Sequence, residues 1–278
     1  MRRSLLAVLS AVLCIAVGCA CDKGIKSPTI NYQFIKIPAG RFYMGSSLRE
    51  PGNDEIRHPV ILSHSFLVGM TEVTQGQWKA VMDNNPSHFV NCGDQCPVES
   101  ISWIDAIKFC NRLSKKEGLS PCYHRVDKSI SWDRKCTGYR LPTEAEWEYL
   151  ARSGTTGPFS TGDCLSTDKA NYNGNKPIPE CPKGQYRETP VHVGSFDKNA
   201  WGLFDMHGNV WEWVWDWKGD YSSDSVTDPN GPDIGTYRIY RGGSWKSNIR
   251  LCRSFDRVGS LPGARYNDLG FRLARSLR

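Results

Sequence analysis

The chain has 278 residues, a formal net charge of +6 and 39% hydrophobic residues, among them 10 tryptophans. This composition is sufficient for a folded core and excludes a disordered or coiled-coil protein. The charge is mild for the length and Lys and Arg are spread out, so we expect no nucleic-acid partner. No apolar run in the sequence reaches the roughly 18 residues of a membrane-spanning helix.

The N-terminus is typical of an exported protein with a lipid anchor. Arg2 and Arg3 precede an apolar stretch, Leu5–Val17, that is too short to span a bilayer. Small residues then lead to Cys19 and resemble a bacterial lipobox, in which Cys19 would become the lipidated first residue. Ordinary signal-peptide cleavage near Ala20 is the alternative.

These features divide the chain into three predicted parts. Residues 1–18 would be a lipoprotein signal peptide, residues 19–32 a lipid-anchored tether, and residues 33–278 a folded domain. We expect the protein in the bacterial cell envelope, at the outer membrane and exposed at the surface. The lipid would be its contact with the membrane.

Short strands and capped helices follow in chain order. Phe34–Gly40 and Arg41–Gly45 are predicted as two strands joined by a Pro/Gly turn, and Val60–Val68 as a third strand. Capping residues predict helices that begin after Thr74, Ser102 and Thr143 and end before Pro86, near Gly118 and at Gly154. Turns, short strands and clustered tryptophans follow from residue 155 onward. The pattern predicts one α+β domain with few regular elements.

The cysteines predict disulfides. Of the 11 cysteines, Cys14 and Cys19 belong to the signal and the anchor, which leaves nine (11 − 2). Export favours disulfides over metal clusters. The predicted local bridges are Cys92–Cys96, Cys122–Cys136 and Cys164–Cys181. Because nine is odd, at least one thiol stays free among Cys21, Cys110 and Cys252.

Seven stretches then carry a resemblance, in order, from about residue 33 to the end of the chain. They are Ile37-Pro-Ala-Gly40 with Met44-Gly45, Glu72-Val-Thr74, Pro97–Trp103, Tyr139–Tyr149, Gly202–Trp213, Arg241-Gly-Gly-Ser-Trp245 and Gly270-Phe-Arg272. Together they resemble the formylglycine-generating-enzyme (sulfatase-modifying factor) family. The resemblance implies an α+β, C-type-lectin-like fold of low regular secondary structure, with several short strands, two to three helices, buried tryptophans and bound calcium.

The oxidases of that family use two cysteines just after the Gly-Gly-Ser-aromatic motif, since a thiolate pair holds Cu(I). Here Ser247 stands at the place of the first cysteine, and ungapped counting puts Cys252 at the second. Counting back from Gly270 does not secure Cys252 at that position. One thiol cannot supply the pair, so we interpret the oxidase activity as lost and predict no catalytic residues. Cys252 would then be a buried small side chain or a disulfide partner.

A structural calcium ion is the cofactor that the resemblance implies. The family's calcium loop matches Asp205, Gly208, Val210 and Glu212, with side-chain oxygens from the two acids and carbonyls from the other two. The alternative is that Asp205 and Glu212 cap buried backbone amides. A second family site would use Asn171 and the carbonyl of Tyr172, but Lys183 stands where its aspartate belongs.

Residues 246–269 also resemble the variable region of diversity-generating-retroelement proteins, among which lipid-anchored treponemal members end in a similar Gly-Phe-Arg stretch. The interleaved arginines would fix the segment on acidic or aromatic scaffold groups. The positions between them are predicted as a diversified binding site for a protein or glycan ligand. They are Ser247, Asn248, Ile249, Leu251, Phe255, Asp256, Val258, Gly259, Ser260, Leu261, Gly263, Ala264, Tyr266 and Asn267.

A codon argument supports this interpretation. Such elements mutate adenines, chiefly in asparagine codons, and randomising the first two bases never yields Lys, Glu, Gln, Met or Trp. Residues 247–269 contain none of these five types. We expect Ile249, Phe255, Leu261 and Tyr266 to be exposed anchors, although some of these apolar residues could be core instead. The alternatives are a degenerate loop of an inactive paralogue, a copper-dependent oxidase acting on a sulfatase cysteine, and a structural envelope lipoprotein.

Overall fold

A computed structural model describes residues 25–46, 54–126 and 129–277. These residues form three α-helices, Gln75–Met82 (α1), Trp103–Lys116 (α2) and Glu144–Arg152 (α3). The strands are Ile25–Ser27 (β1), Tyr32–Ile37 (β2), Gly40–Met44 (β3), His58–Leu62 (β4), Phe66–Gly69 (β5), Tyr123–Val126 (β6), Ser129–Trp132 (β7), Tyr139–Arg140 (β8), Trp211–Trp217 (β9), Val226–Thr227 (β10), Arg238–Arg241 (β11), Arg257–Ser260 (β12), Leu269–Gly270 (β13) and Ala274–Ser276 (β14).

The three helices begin where the sequence predicts them. Thr74, Ser102 and Thr143 each accept a hydrogen bond from the backbone N–H three residues on and complete a capping box. Each box satisfies amide groups that the first helical turn leaves without partners. Helix α3 is buried along its whole length, so its charged residues point into the protein interior.

The strands form four curled sheets in the described residues. The largest has the order β1-β2-β5-β14-β8, and a second has the order β12-β11-β9-β13. A third has the order β10-β4-β3, and β6 pairs with β7. Strand β14 lies antiparallel between β5 and β8, so the last strand pairs with strands from earlier in the chain.

The structure confirms two of the predicted strands and corrects the third. The segment predicted as one strand over Val60–Val68 is two strands, β4 and β5, which belong to different sheets. The break lies at Ser63, whose backbone N–H and hydroxyl both bond to the carboxylate of Asp228. The two strands predicted on either side of the Pro/Gly turn are β2 and β3. They follow each other in sequence but lie in different sheets, because β2 pairs with β5 and β3 pairs with β4.

The folded domain also begins earlier than the predicted boundary at residue 33. Residues 25–32, expected in the tether, form β1 and its turn into β2, with Ile25 opposite Phe34. Ile30 and Tyr32 are buried in the main core. The signal peptide and Cys19 lie outside the described residues. None of the described helices is long and apolar enough to cross a membrane.

Tryptophans fill the interior, and two of the fully buried indoles donate to backbone carbonyls of distant elements. Trp103 donates to the Val214 carbonyl at 2.8 Å, and Trp213 donates to the Ile101 carbonyl at 3.1 Å. These bonds tie α2 to β9, since a buried indole N–H without a partner would be costly.

The three predicted disulfides, Cys92–Cys96, Cys122–Cys136 and Cys164–Cys181, are confirmed. Cys110 and Cys252 are free and buried.

Candidate functional site

Arg241 holds part of the segment predicted to be variable, residues 246–269, in place. Its guanidinium donates to the carbonyls of Ser254, Phe255 and Asp256, and it pairs with Glu148 of α3. Arg241 and Glu148 are both fully buried. Because three consecutive carbonyls share one fixed cation, the path of residues 254–256 is set by the scaffold.

Three further arginines attach this segment to acidic groups. Arg257 makes a bidentate pair with Glu144 at 2.8 Å for both bonds, and Arg253 pairs with Asp256 at 2.6 Å. Arg265 pairs with Asp105 of α2 at 2.6 Å. We call Arg241, Arg253, Arg257 and Arg265 the arginine frame. The prediction that interleaved arginines fix the segment on scaffold groups is confirmed for Arg257 and Arg265, whereas Arg253 pairs within the segment.

A set of predicted variable residues is accessible beside this frame. Val258 lies opposite Tyr240 in the β11–β12 pair, and the Ser260 hydroxyl lies 2.9 Å from the Tyr266 hydroxyl. Leu261 and Tyr266 are 55% and 42% exposed. We define the C-terminal surface as the accessible residues Leu251, Val258, Ser260, Leu261, Tyr266 and Asn267.

The remaining predicted positions divide by burial and contact. Ile249 and Phe255 are buried, so the expectation that they are exposed anchors is wrong; Ile249 packs with Phe159 and Tyr172 in a small core of its own. Ser247 and Asp256 are also buried. Asn248 caps the short 3-10 helix Ile249–Cys252. Gly259 packs on Lys218 and Tyr237, while Gly263 and Ala264 remain accessible.

An aromatic strip that the sequence interpretation missed lies next to the C-terminal surface. Trp245 stacks on Tyr186 and meets Phe89 edge-on, with ring centroids 6.3 Å and 5.4 Å apart. Its indole N–H donates to the Asn267 carbonyl at 3.4 Å. Phe89 and Tyr186 come from distant parts of the chain, and no local pattern indicates that they meet Trp245.

Ser247 and Cys252, which ungapped counting matched to the oxidase cysteines, are both buried. Cys252 is buried, and burial raises the pKa of its thiol, which keeps it protonated. Ser247 is buried as well, and its hydroxyl lies 3.0 Å from that of Ser244. Metal ligation and nucleophilic attack both require a thiolate. The arrangement does not favour copper chemistry at these two residues.

His207, close to Cys252, is a satisfied core histidine. Its Nε2 accepts from the Ser160 backbone N–H at 3.0 Å, so its Nδ1 carries the proton and donates to the Cys252 carbonyl at 2.8 Å. Burial lowers the pKa of His207 to about 4. The ring is therefore neutral at physiological pH and has no free nitrogen for a metal.

Asp205 of the predicted calcium loop lies close to a second buried carboxylate, that of Glu72 from the segment before α1. Asp205 Oδ2 accepts from the Gly194 backbone N–H at 2.6 Å, and Glu72 Oε1 accepts from the Asn209 side chain at 2.9 Å. Their other oxygens, Asp205 Oδ1 and Glu72 Oε2, are buried and have no hydrogen-bond partner among the described residues. Burial, and then the charge of Asp205, raises the pKa of Glu72, and burial raises the pKa of Asp205. Two such oxygens suit a hard cation.

Glu212 has a different partner from the one expected of a calcium ligand. Arg272 makes a bidentate pair with it, both bonds at 2.6 Å, and Trp147 donates to the same carboxylate at 2.7 Å. Of the two glutamates, Glu72 rather than Glu212 therefore has an oxygen available to join Asp205 at a cation. Among the described residues no three His, Cys, Asp or Glu side chains lie close enough to hold a metal, so backbone carbonyls such as those of Gly208 and Val210 would have to contribute.

The fold and these motif positions define a class, an α+β protein of the C-type-lectin-like type found in formylglycine-generating enzymes. The chain belongs to the sulfatase-modifying factor enzyme 1-like domain family, whose pattern it matches over residues 25–277. A solved structure described as Treponema denticola variable protein 1 is 35% identical, with a TM-score of 0.81, and the match covers 92% of this chain and 99% of that one.

Two curated relatives show the range of the family. "Chaperone protein LppX" of Paenibacillus barcinonensis is 32% identical over 308 residues, covering 99% of this chain and 100% of the relative. "Inactive C-alpha-formylglycine-generating enzyme 2" of Mus musculus is 32% identical over 286 residues, covering 87% of this chain and 85% of the relative. The family therefore includes inactive members.

Proposed function

We propose that the protein is a lipid-anchored binding protein whose C-terminal surface is diversified to contact a ligand, and that it does not generate formylglycine. One observation carries the proposal: within a single segment, the arginine frame is ion-paired, whereas predicted variable positions between its members are accessible. A site that changes in sequence needs a backbone whose course does not depend on the changing side chains.

The character of the C-terminal surface favours a large ligand. Leu261 and Tyr266 are exposed apolar and aromatic groups of the kind that anchor protein interfaces. The frame holds their backbone before binding, so little ordering entropy is lost when a partner docks. A protein or a glycan chain fits this description, with Trp245 and Phe89 as fixed neighbours of the changing positions.

Attachment and location belong to the same proposal. The Arg2–Cys19 region resembles a lipoprotein signal, and the folded domain begins only a few residues after Cys19, at Ile25. A lipid on Cys19 would therefore hold the domain close to the membrane. Display at the outer surface would place the C-terminal surface within reach of external ligands.

We also propose that calcium braces the scaffold through Glu72 and Asp205. The bound ion would supply a positive charge to two buried carboxylates that otherwise repel each other. The function proposed for the C-terminal surface does not depend on this ion.

The first experiment compares the 3′ end of the gene among isolates. We expect a near-copy of this end close to a reverse-transcriptase gene. Substitutions should fall only where the copy has adenine, in codons for the C-terminal surface, and spare the arginine frame. An invariant 3′ end without a copy would contradict diversification and leave an inactive family scaffold.

A second experiment tests the absence of catalysis. The purified protein, supplied with Cu(I) and oxygen, is incubated with a cysteine-containing sulfatase peptide, and the aldehyde is measured by mass spectrometry. We expect no formylglycine, because Ser247 replaces one thiol and Cys252 is buried. Turnover that disappears in Cys252→Ala would establish the oxidase instead.

A further inference from the structure

We propose that the protein has a second binding site, which takes a sugar acid: a pyranose that carries a carboxylate or a sulfate. The site is a cavity of about 470 Å³ between strand β3, the loop after α3 and Trp201. Its volume lies within the usual range of small-ligand pockets, roughly 300–1,000 Å³. None of the six residues of the C-terminal surface lines it. Phe255, which is buried, is the one residue of segment 246–269 among the described lining residues.

The two exposed cations of the cavity have no acidic partner among the described residues. Arg41 and Arg57 line the cavity, both are exposed, and neither guanidinium forms an ion pair or a hydrogen bond with a described residue. No carboxylate is among the lining residues that the structure describes. Arg152 also lines the cavity, but its guanidinium is used by Glu148 and the Gly45 carbonyl. Arg41 and Arg57 are therefore the cations available to an anion, which arginine binds through paired N–H groups.

Aromatic rings form a wall beside these cations. The Trp201 and Tyr149 rings meet edge-on with centroids 4.6 Å apart, and Phe42 lies 5.1 Å from Tyr149. Tyr43 supports Arg57, whose guanidinium carbon lies 4.0 Å from the ring centroid. Trp201 is only half-buried. Part of its ring is therefore accessible to a ligand.

A free polar group completes the site. Tyr149 lines the cavity, and its hydroxyl forms no hydrogen bond with a described residue. A charged pyranose uses all three features: its anion meets the arginines, its apolar face meets the aromatic wall, and its hydroxyls bond to Tyr149. A simple aromatic acid would leave the Tyr149 hydroxyl unpaired, and a neutral sugar would leave both arginines unpaired.

The test is isothermal titration calorimetry of the purified full chain with glucuronate and galactose 6-sulfate. Glucose and galactose are the neutral counterparts, and phenylacetate is the simple aromatic acid. We expect the charged sugars to bind at least about tenfold more tightly than the neutral ones, as charge-assisted hydrogen bonds allow. Arg41→Gln and Arg57→Gln should each weaken binding about tenfold. Both residues are exposed, so these variants will fold. Trp201→Ala should weaken both charged and neutral sugars.

Arg134→Gln is the matched control, because Arg134 is also exposed and lies 4.4 Å over a ring, that of Trp132, outside this cavity. Arg134→Gln should leave sugar binding unchanged. Substitutions at Leu261 and Tyr266 should also leave it unchanged, so the test distinguishes this site from the proposed function of the C-terminal surface. Four outcomes would each overturn the proposal. The neutral sugars could bind as tightly as the charged ones, or phenylacetate could bind more tightly than glucuronate. Both arginine variants could bind the charged sugars unchanged, or no binding could be detected at sugar concentrations well above millimolar.

Discussion

The arginine frame and the C-terminal surface occupy the same short segment but differ in nearly every contact. Arg257 makes a bidentate pair with a buried glutamate, whereas Leu261, four residues on, is 55% exposed. A buried charge without its partner is strongly destabilising, so the buried frame positions Arg241, Arg253 and Arg257 admit few substitutions. Exposed positions away from such contacts tolerate many. The contrast shows how one segment can combine a fixed backbone with changeable side chains.

The arginine frame also explains how residues 254–256, which form no strand or helix, keep a fixed course. Arg241 replaces a strand ladder by donating to three carbonyls of an irregular stretch. These bonds satisfy backbone groups that a loop would otherwise expose to water or leave unpaired. The C-terminal surface therefore rests on side-chain bonds from the interior.

The largest expected effect on stability is at the buried Arg272–Glu212 ion pair. Arg272→Met should lower the free energy of unfolding by about 3–5 kcal/mol, because Glu212 would keep a buried charge without its cation. Urea denaturation measures the loss. Arg275→Met is the control, since Arg275 is only half-buried and bonds to the Thr137 carbonyl. Equal stability of the two variants would contradict a structural role for the Arg272–Glu212 pair.

The next effect separates buried from accessible positions within one short helix. Ile249→Ala should cost about 2–4 kcal/mol, because it leaves a cavity in a fully buried cluster. Leu251→Ala, two residues on and partly accessible, should cost clearly less. Thermal and urea denaturation of both variants measure the difference. If the two losses are equal, the assignment of Leu251 to the C-terminal surface fails.

Calcium should have an intermediate effect on the scaffold. At about 100 times its dissociation constant, the ion should raise the free energy of unfolding by about 2.7 kcal/mol. Glu72→Gln should remove this gain, whereas Glu180→Gln, at an exposed site, should keep it. Thermal denaturation with calcium, magnesium or a chelator measures the shift. A gain that survives Glu72→Gln would place the ion elsewhere.

The smallest effect on stability is expected on the C-terminal surface itself. Leu261→Ser and Tyr266→Ser should each change the free energy of unfolding by no more than about 0.5 kcal/mol. Chemical denaturation measures this directly. A loss above about 1 kcal/mol at either position would mean that it supports the fold, and it would then leave the proposed binding site.

Much of the local structure could be predicted because its signals are local. The capping residues Thr74, Ser102 and Thr143 determine where helices begin through bonds within one turn. The disulfides join cysteines that are close in sequence, the longest separation being 17 residues. Strand pairing was not predictable in this way, because β2 and β3 part into different sheets only when distant strands pair with them.

The candidate site was half predictable for the same reason. The sequence placed Leu261, Tyr266 and the arginines in one segment, but it could not tell that Ile249 and Phe255 point inward. An irregular segment has no period from which burial can be read. The contacts of Phe89 and Tyr186 with Trp245, and of Glu72 with Asp205, were not predicted because these residues come from distant parts of the chain.

The sequence by itself determined the family, the α+β class, the helix starts and the disulfides. Each of these rests on residue identity or on contacts between near neighbours in the chain. Only the tertiary structure decided which predicted positions are buried, which acid joins Asp205, and where Arg41 and Arg57 meet an aromatic wall. Those outcomes depend on long-range packing, in which burial and charge pairing join residues that no sequence spacing connects.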